Sequence, residues 1–302
     1  MQPVRAVRTP RHLVVVALLG VLGVLLAVVA VPSSATARQP DPAHDYYQIP
    51  QGCAGPARPE AQRPSGCRLT PWARNRPVVV LWGDSHAWQN IPALIRAAKA
   101  ERVNLTAFVM GKCPPAKIRI QKRYPGKCEE SNALALRYVR KTAQRVPTLA
   151  LLGSHWAGFG KAAHYLENHG QPPPGYNDFD VRMLNLFRNH TAKIFPAVRK
   201  TRARLAMIGQ TATCERRPES APFNCGLPRG QAIIRENKTR RWLADLSRNA
   251  PQVDVNQAFC GPKHCKGKVG GDYVYWDWGH LSKTVNQRMA RYFRPLLRTL
   301  GN

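Results

Sequence analysis

Apolar and polar positions divide the chain of 302 residues into three regions. The first holds an uncharged run, LVVVALLGVLGVLLAVVAV, at residues 13–31. The second, residues 38–76, is rich in Pro, Gly and Arg and carries two cysteines, which predicts an irregular lead-in tied by a disulfide. From there on, short apolar segments alternate with amphipathic ones. We therefore expect a leader (1–37), the lead-in and one folded domain (77–302).

The alternating region predicts an α/β domain. Short segments that are apolar throughout are typical of strands buried on both faces, as in parallel sheets. Right-handed crossovers between such strands produce a three-layer α/β/α domain with a five-stranded, mainly parallel sheet of flavodoxin-like type. In such a sheet a site lies beyond the carboxyl ends of the strands. We predict strands at 78–82, 103–110, 147–153, 203–209 and 252–259, and helices at 90–100, 129–144, 178–200, 229–249 and 282–300.

The apolar run at 13–31 predicts that the rest of the chain is exported. It is long enough to cross a bilayer as a helix, and the preceding Arg5, Arg8 and Arg11 place the N-terminus in the cytoplasm. Residues 35–37 (Ala-Thr-Ala) fit the cleavage site of a secretory signal peptide. The run is long for a signal peptide, so we expect a single-pass membrane anchor with an extracellular domain. A secreted form with a cleaved leader is the alternative.

Eight cysteines agree with an oxidising compartment. They permit ~105 connectivities, but short loops close easily, so we expect neighbours in the sequence to pair. A zinc site is disfavoured because no C-x-x-C spacing is present, and we predict no metal. The expected disulfides are Cys53–Cys67, Cys113–Cys128, Cys214–Cys225 and Cys260–Cys265.

The formal net charge of +29 favours anionic partners. No basic run interleaves with aromatic residues and no nucleic-acid motif is present, so we predict no nucleic-acid partner. The Arg and Lys residues are spread along the chain. Either a basic solvated surface or attraction to an acidic cell envelope explains this charge.

Candidate chemistry lies at the two ends of the alternating region. The sequence GDSH directly follows the first strand and places Ser85 where that strand ends and a helix begins. A serine hydroxyl is a weak nucleophile unless a base takes its proton. Near the C-terminus, YWDWGHLSK carries Asp277 three residues before His280. We predict a triad in which Asp277 orients His280 and His280 activates Ser85. A helix-capping serine and an exposed Asp–His loop pair are the structural alternatives.

The motifs GDSH and DWGHLS resemble those of the SGNH hydrolase superfamily. The closer resemblance is to SGNH domains attached to bacterial membrane-bound O-acyltransferases that modify envelope polysaccharides, and MGKCPP, LLGSHW and VDVNQAFC also fit it. The resemblance covers residues 50–302. It implies a serine-dependent O-acyltransferase or carbohydrate esterase that forms an acyl-serine, with acetyl favoured. It also implies an envelope polysaccharide or glycan acceptor, a separate membrane-bound acyltransferase as acyl donor, and no cofactor.

The resemblance further implies an oxyanion hole. In the superfamily the hole combines the N–H of the nucleophile, a glycine after the second strand and an asparagine after the third. Ser85 and Gly111 match the first two positions. The segment GSHW has no asparagine, so His155 is the candidate third donor. This departure leaves open a non-catalytic, glycan-binding module on the same scaffold.

Three further residues are candidates for the substrate-binding region. Trp156 follows the third strand and is a candidate wall for an acyl or sugar pocket. Asp84 and His86 flank the serine. We expect Asp84 to form structural hydrogen bonds beneath the site and His86 to pack against it.

Overall fold

The computed structural model describes residues 41–50, 53, 67–119, 126–213 and 227–301. The predicted leader, part of the predicted lead-in and the expected Cys214–Cys225 pair lie outside these residues. Within the described ranges no helix is both long enough and apolar enough to span a bilayer.

A mainly parallel sheet organises the domain. In chain order the strands are β1 (Cys67–Arg68), β2 (Val78–Gly83), β3 (Asn104–Val109), β4 (Thr148–Gly153), β5 (Arg204–Ile208), β6 (Leu227–Pro228), β7 (Gln252–Val253), β8 (His264–Cys265), β9 (Lys268–Val269) and β10 (Asp272–Tyr273). The six-stranded sheet has the order β1-β3-β2-β4-β5-β7, and β1 is antiparallel to its neighbour while the others run parallel. The five predicted parallel strands are confirmed, and the lead-in adds β1 at the edge. Two small antiparallel pairs, β6 with β8 and β9 with β10, stand apart from this sheet.

Helices cover both faces of the sheet. They are α1 (Ser85–Trp88), α2 (Ile91–Ala100), α3 (Lys127–Ala143), α4 (Trp156–His169), α5 (Asp178–Leu186), α6 (Ile194–Arg199), α7 (Arg229–Leu246), α8 (Lys283–Gln287) and α9 (Ala290–Arg298). Successive strand residues point to opposite faces. In β2, Val79 and Leu81 therefore pack with α2, α8 and α9, whereas Val80 and Trp82 pack with α3, α6 and α7. The predicted three-layer α/β/α architecture is confirmed.

Several predicted elements are shorter or broken. The predicted strand 252–259 ends after β7, because the Asp254 carboxylate accepts the N–H of Asn256 at 3.0 Å and starts the 3-10 helix Val255–Ala258. The predicted helix 178–200 consists of α5, a π-helix at Phe187–Thr191, and α6. The predicted final helix is likewise divided into α8 and α9. Helix α4 was not predicted from the sequence, because its two glycines lower its helix propensity.

Disulfides fix the lead-in and the loop after β3. The expected pairs Cys53–Cys67, Cys113–Cys128 and Cys260–Cys265 are formed. The buried Asn132 supports the second pair, since its Oδ1 accepts the Trp82 indole N–H and the Ala116 N–H, both at 2.8 Å. The loop that follows β3 is therefore held against β2 and α3.

The strands β2 and β4 both end in glycine at their carboxyl ends. Gly83 and Gly153 are partners in the register, and Gly83 has a φ of +153°. A β-carbon at position 83 would lie 1.7 Å from the Gly153 carbonyl oxygen. Glycine at position 83 is thus required for the sheet edge that precedes Ser85.

Replacing Gly83 with alanine should lower the free energy of unfolding by about 3 kcal/mol or more, because the added methyl group meets fixed backbone. Gly160 in α4 is the matched control, since a β-carbon there meets no atom within 4 Å. Gly160→Ala should stabilise the protein by about 0.5–1 kcal/mol through helix propensity. Urea unfolding followed by circular dichroism measures both changes. A Gly83→Ala variant as stable as the wild type would contradict this account of the sheet edge.

Candidate active site

The fold brings Ser85 and His280 together from the two ends of the domain. Ser85 begins α1 directly after β2, and His280 lies in the loop between β10 and α8. The Ser85 hydroxyl is 2.7 Å from Nε2 of His280, although the residues are 195 positions apart. Nδ1 of His280 is 2.7 Å from Oδ2 of Asp277. An ionised carboxylate only accepts hydrogen bonds, so Nδ1–H donates to Asp277 and Nε2 accepts the hydrogen bond from Ser85.

Backbone hydrogen bonds shape the loop that carries Asp277 and His280. Oδ1 of Asp277 accepts the N–H groups of Gly279 at 2.8 Å and His280 at 2.6 Å. Burial raises the pKa of Asp277, but the hydrogen bond and charge of His280 and the backbone N–H groups outweigh it and hold the pKa below its usual value. The Asp277 carboxylate is therefore ionised at neutral pH and places a negative charge beside the His280 ring.

A glutamine in α1's C-terminal cap joins the loop to the serine. Oε1 of Gln89 accepts the N–H of Leu281 at 2.7 Å, one residue after the histidine, and its Nε2 donates to Thr211 at 3.2 Å. Gln89 is 2% exposed. Sequence reasoning missed this residue; the available signal was an amide placed one helical turn after Ser85. Gln89 thereby links the helix that begins at Ser85 to the loop that carries His280.

Asp84 lies beneath the site and ties β2 to β4. Its Oδ1 accepts the N–H of His86 at 2.8 Å, and its Oδ2 accepts the Ser154 hydroxyl at 2.6 Å and the N–H of His155 at 2.9 Å. Burial raises its pKa, opposed by these hydrogen bonds. The expected structural hydrogen bonds are present. With 1% exposure and its oxygens occupied, Asp84 does not line an open substrate pocket.

Three imidazole rings, those of His155, His86 and His280, lie next to one another at the site. The rings of His86 and His155 stack with centroids 4.3 Å apart, and His86 lies 4.8 Å from the His280 ring. Burial holds the pKa of His86 well below its usual value and lowers that of His155 to about 4, and the charge of His280 lowers both further. Both rings are therefore neutral at neutral pH. The two rings therefore add no positive charge beside His280.

Trp156 does not occupy the place predicted for it. Its side chain is 0% exposed, and its indole N–H donates to the Ile208 carbonyl at 2.9 Å within the apolar layer. A fully buried ring does not form the wall of an open acyl or sugar pocket. The exposed aromatic residue beside the triad is Trp278, which is 39% exposed and meets the His155 ring edge-on at 6.4 Å.

Tyr46 of the lead-in belongs to a group of aromatic residues that packs around His280. Trp276 stacks on His280 with centroids 5.7 Å apart, and Tyr46 lies 4.9 Å from Trp276. Trp88, 3% exposed, is edge-on to His280 at 6.5 Å. Asp45 anchors this part of the lead-in by accepting hydrogen bonds from the backbone and hydroxyl of Thr284. Sequence reasoning missed Tyr46, because contacts between distant segments leave no local pattern.

Gly111 lies at the same edge of the sheet as Ser85. It follows β3 in a buried turn, and the N–H of the preceding Met110 donates to the Gly83 carbonyl at 3.0 Å. The Cys113–Cys128 disulfide and an ion pair between Lys112 and Asp180 at 2.7 Å hold this turn. In the described part of the chain no group of three or more His, Cys, Asp or Glu side chains is placed to hold a metal ion.

Comparison with known proteins identifies the family. Residues 52–295 match the family model described as an SGNH domain (fused to AT3 domains), so the chain belongs to this family. The resemblance seen in the two end motifs is therefore confirmed. A search of curated proteins gave no match.

Two solved structures illustrate the similarity. The periplasmic domain of a lipopolysaccharide acetyltransferase from Salmonella ser. Paratyphi A is 13% identical, with a TM-score of 0.44, and the match covers 74% of this chain and 85% of that chain. A carbohydrate acetylesterase family member from Sinorhizobium meliloti is 14% identical, with a TM-score of 0.36, and the match covers 75% of this chain and 100% of that chain.

The free energy of unfolding should fall as the pH is lowered from about 6.5 towards about 4. In this window the unfolded chain binds protons that the folded-state rings of His86 and His155 do not, so their contribution is fully present above the window and lost within it. In His86→Asn/His155→Asn the slope should be shallower by about 1 kcal/mol per pH unit or more. Urea unfolding at several pH values measures it. His264→Asn, at an exposed position, should keep the wild-type slope. A double variant with that same slope would contradict the assignment.

Proposed function

We propose that this protein is a serine-dependent O-acyltransferase or carbohydrate esterase of the cell envelope, and that Ser85 is its nucleophile. The observation that supports the proposal is the chain of hydrogen bonds from Ser85 through His280 to Asp277, 2.7 Å at each step. This is the arrangement that activates a serine hydroxyl in acyl transfer. Membership of the SGNH-domain family is consistent with it.

The proposed reaction has two halves. Oγ of Ser85 attacks the ester carbonyl and its proton passes to Nε2 of His280, whose positive charge Asp277 stabilises. The C–O bond of the ester then breaks, and His280 returns the proton to the leaving alkoxide, which leaves an acyl-serine. In the second half a water or a sugar hydroxyl attacks the acyl group, gives its proton to His280 and releases Ser85.

The proposed oxyanion hole combines backbone and ring donors. Ser85 is the first residue of α1, and no described residue accepts its backbone N–H. This N–H is one of those that a helix leaves without an intrahelical partner, so it is available to an oxyanion. Gly111 is the second proposed donor. The backbone N–H of His155 donates to Asp84. Nδ1 of His155 faces Gly158 so closely that a β-carbon added to that glycine would lie 2.4 Å away. We therefore assign the third donor role to Nε2 of His155.

The proposed substrate is an acylated envelope glycan. The exposed ring of Trp278, two residues before His280, offers a flat apolar face on which a sugar ring can stack. Trp88, which is buried, and Trp276, which is partly buried, add apolar surface beside His280, and acetyl is the proposed acyl group. No cofactor is required, since the triad supplies both the base and the nucleophile.

The proposed location is outside the cytoplasmic membrane. The leader would anchor the chain by one span, or be removed to release it, and 77–302 would form the catalytic domain behind the lead-in. A separate membrane-bound acyltransferase is the proposed source of acyl groups, consistent with the family description as a domain fused to AT3 domains. In that setting the acceptor is a polysaccharide hydroxyl rather than water.

Ser85→Ala should lower kcat/KM for 4-nitrophenyl acetate by about 10⁴-fold, because the acyl-serine no longer forms, and His280→Asn should have a comparable effect. The release of nitrophenolate by the purified chain gives the rate. His264→Asn is the control for loss of an exposed imidazole and should retain wild-type turnover. Turnover unaffected by Ser85→Ala would remove the enzyme assignment. A wild-type chain with no turnover would favour the glycan-binding module.

Trp278→Ala should raise KM for an acetylated oligosaccharide about two- to tenfold through loss of ring stacking, with little change for 4-nitrophenyl acetate. Tyr176→Ala is the matched control, because both side chains are 39% exposed. Mass spectrometry of the products, with unacetylated oligosaccharide added as acceptor, separates transfer from hydrolysis. We expect acetyl on the acceptor. Acetate alone would assign an esterase, and equal effects of the two variants would contradict the role of Trp278.

A further inference from the structure

A second concave surface lies outside the residues of the triad and oxyanion hole. This basic cleft has a volume of about 660 Å³, and we define it by Lys117, Glu129, Arg182, Asn185, Asn189 and Lys193. The volume is in the range of sites that bind small organic ligands. Neither the triad nor the proposed acyl transfer uses any of these side chains.

One wall of the basic cleft follows a continuous stretch of chain. Arg182 and Asn185 lie in α5, Asn189 lies in the π-helix that continues it, and Lys193 follows in the turn before α6. The four side chains line the same cleft at spacings of three, four and four residues, so the row extends over more than two helical turns. It places amide groups between two cations. Such a row matches several linked units rather than one small anion.

The facing wall is joined to this helix by hydrogen bonds. The N–H of Lys117 donates to the His190 carbonyl at 3.1 Å, and the Thr191 hydroxyl donates to the Pro115 carbonyl at 2.9 Å. The basic cleft is therefore built before any ligand arrives. Preformed walls reduce the entropy lost on binding.

Glu129 gives the basic cleft an unsatisfied hydrogen-bond acceptor. It is 6% exposed, and its Oε1 forms an ion pair with Nε of Arg182 at 3.3 Å. Its Oε2 is buried and has no hydrogen-bond partner. A buried carboxylate oxygen without a donor is costly. A sugar hydroxyl in the cleft would supply that donor, whereas a simple anion would be repelled.

The cations at the ends of the basic cleft are available to a ligand. Lys117 and Lys193 are exposed, and neither forms an ion pair with any residue that the structure describes. Cations bind carboxylates, while amides and Glu129 bind hydroxyl groups. We propose that the basic cleft binds an acidic oligosaccharide, with uronate carboxylates at the lysines and sugar hydroxyls at Glu129 and the asparagines. Binding there does not require that Ser85 be a nucleophile.

Isothermal titration calorimetry of the full-length chain with tetragalacturonic acid tests the proposal. Its methyl ester is the matched neutral ligand. We expect the acid to bind at least tenfold more tightly than the ester, and Lys117→Ala/Lys193→Ala to weaken acid binding about tenfold. Lys99→Ala/Lys141→Ala removes two exposed lysines elsewhere and should stay within twofold of the wild type. Ser85→Ala should also bind as the wild type does, which separates this site from the triad.

Four outcomes would overturn the proposal. In the first, the acid does not bind. In the second, the ester binds as tightly as the acid. In the third, both double-lysine variants lose affinity equally, which would mean attraction to net charge alone. In the fourth, inorganic phosphate or phosphatidylglycerol vesicles bind through Lys117 and Lys193 while tetragalacturonic acid does not, which would assign a site for simple anions or for a membrane.

Discussion

The hydrogen bond from the Ser85 hydroxyl to Nε2 of His280 is the contact on which the account of this protein depends. This hydrogen bond joins residues from the two ends of the domain, because the serine follows the first long strand of the sheet and the histidine precedes the last two helices. The close backbone approach at Gly83 sets the position of the serine. Gln89 then links the helix of the serine to the loop of the histidine. Core packing alone positions neither group to within hydrogen-bonding distance; these buried polar contacts do.

The charges around this contact differ on the two sides of His280. Asp277 stays ionised on one side, whereas the rings of His86 and His155 stay neutral on the other. Desolvation lowers the pKa of both rings and so prevents a second cation from forming beside His280 at neutral pH. The same desolvation lowers the stability of the protein at acidic pH. Asp84 holds the ends of β2 and β4 together beneath these rings, so the same network supports both the fold and the site.

Much of the architecture could be predicted from the sequence because local patterns determine it. Strands such as Val78–Gly83 are buried on both faces and read as uninterrupted apolar runs. Ser85, Asp277 and His280 stood out because two motifs, each weak alone, lie at the two ends of one α/β pattern. The errors arise where distant contacts override local pattern. Trp156 follows the third strand as expected, but packing against Ile208 buries it. Gln89 carries no motif, and its role emerges only when the loop of His280 folds over it.

The most direct test of the central claim uses an alkyl 4-nitrophenyl phosphonate, which a base-activated serine attacks at phosphorus with release of nitrophenolate, leaving a stable phosphonyl-serine. Peptide mass spectrometry of the labelled full-length chain locates the adduct. We expect one phosphonyl group, on Ser85, and labelling slowed by orders of magnitude in His280→Asn, because the hydroxyl then lacks its base. An unlabelled Ser85, or a His280→Asn variant that labels as fast as the wild type, would contradict it.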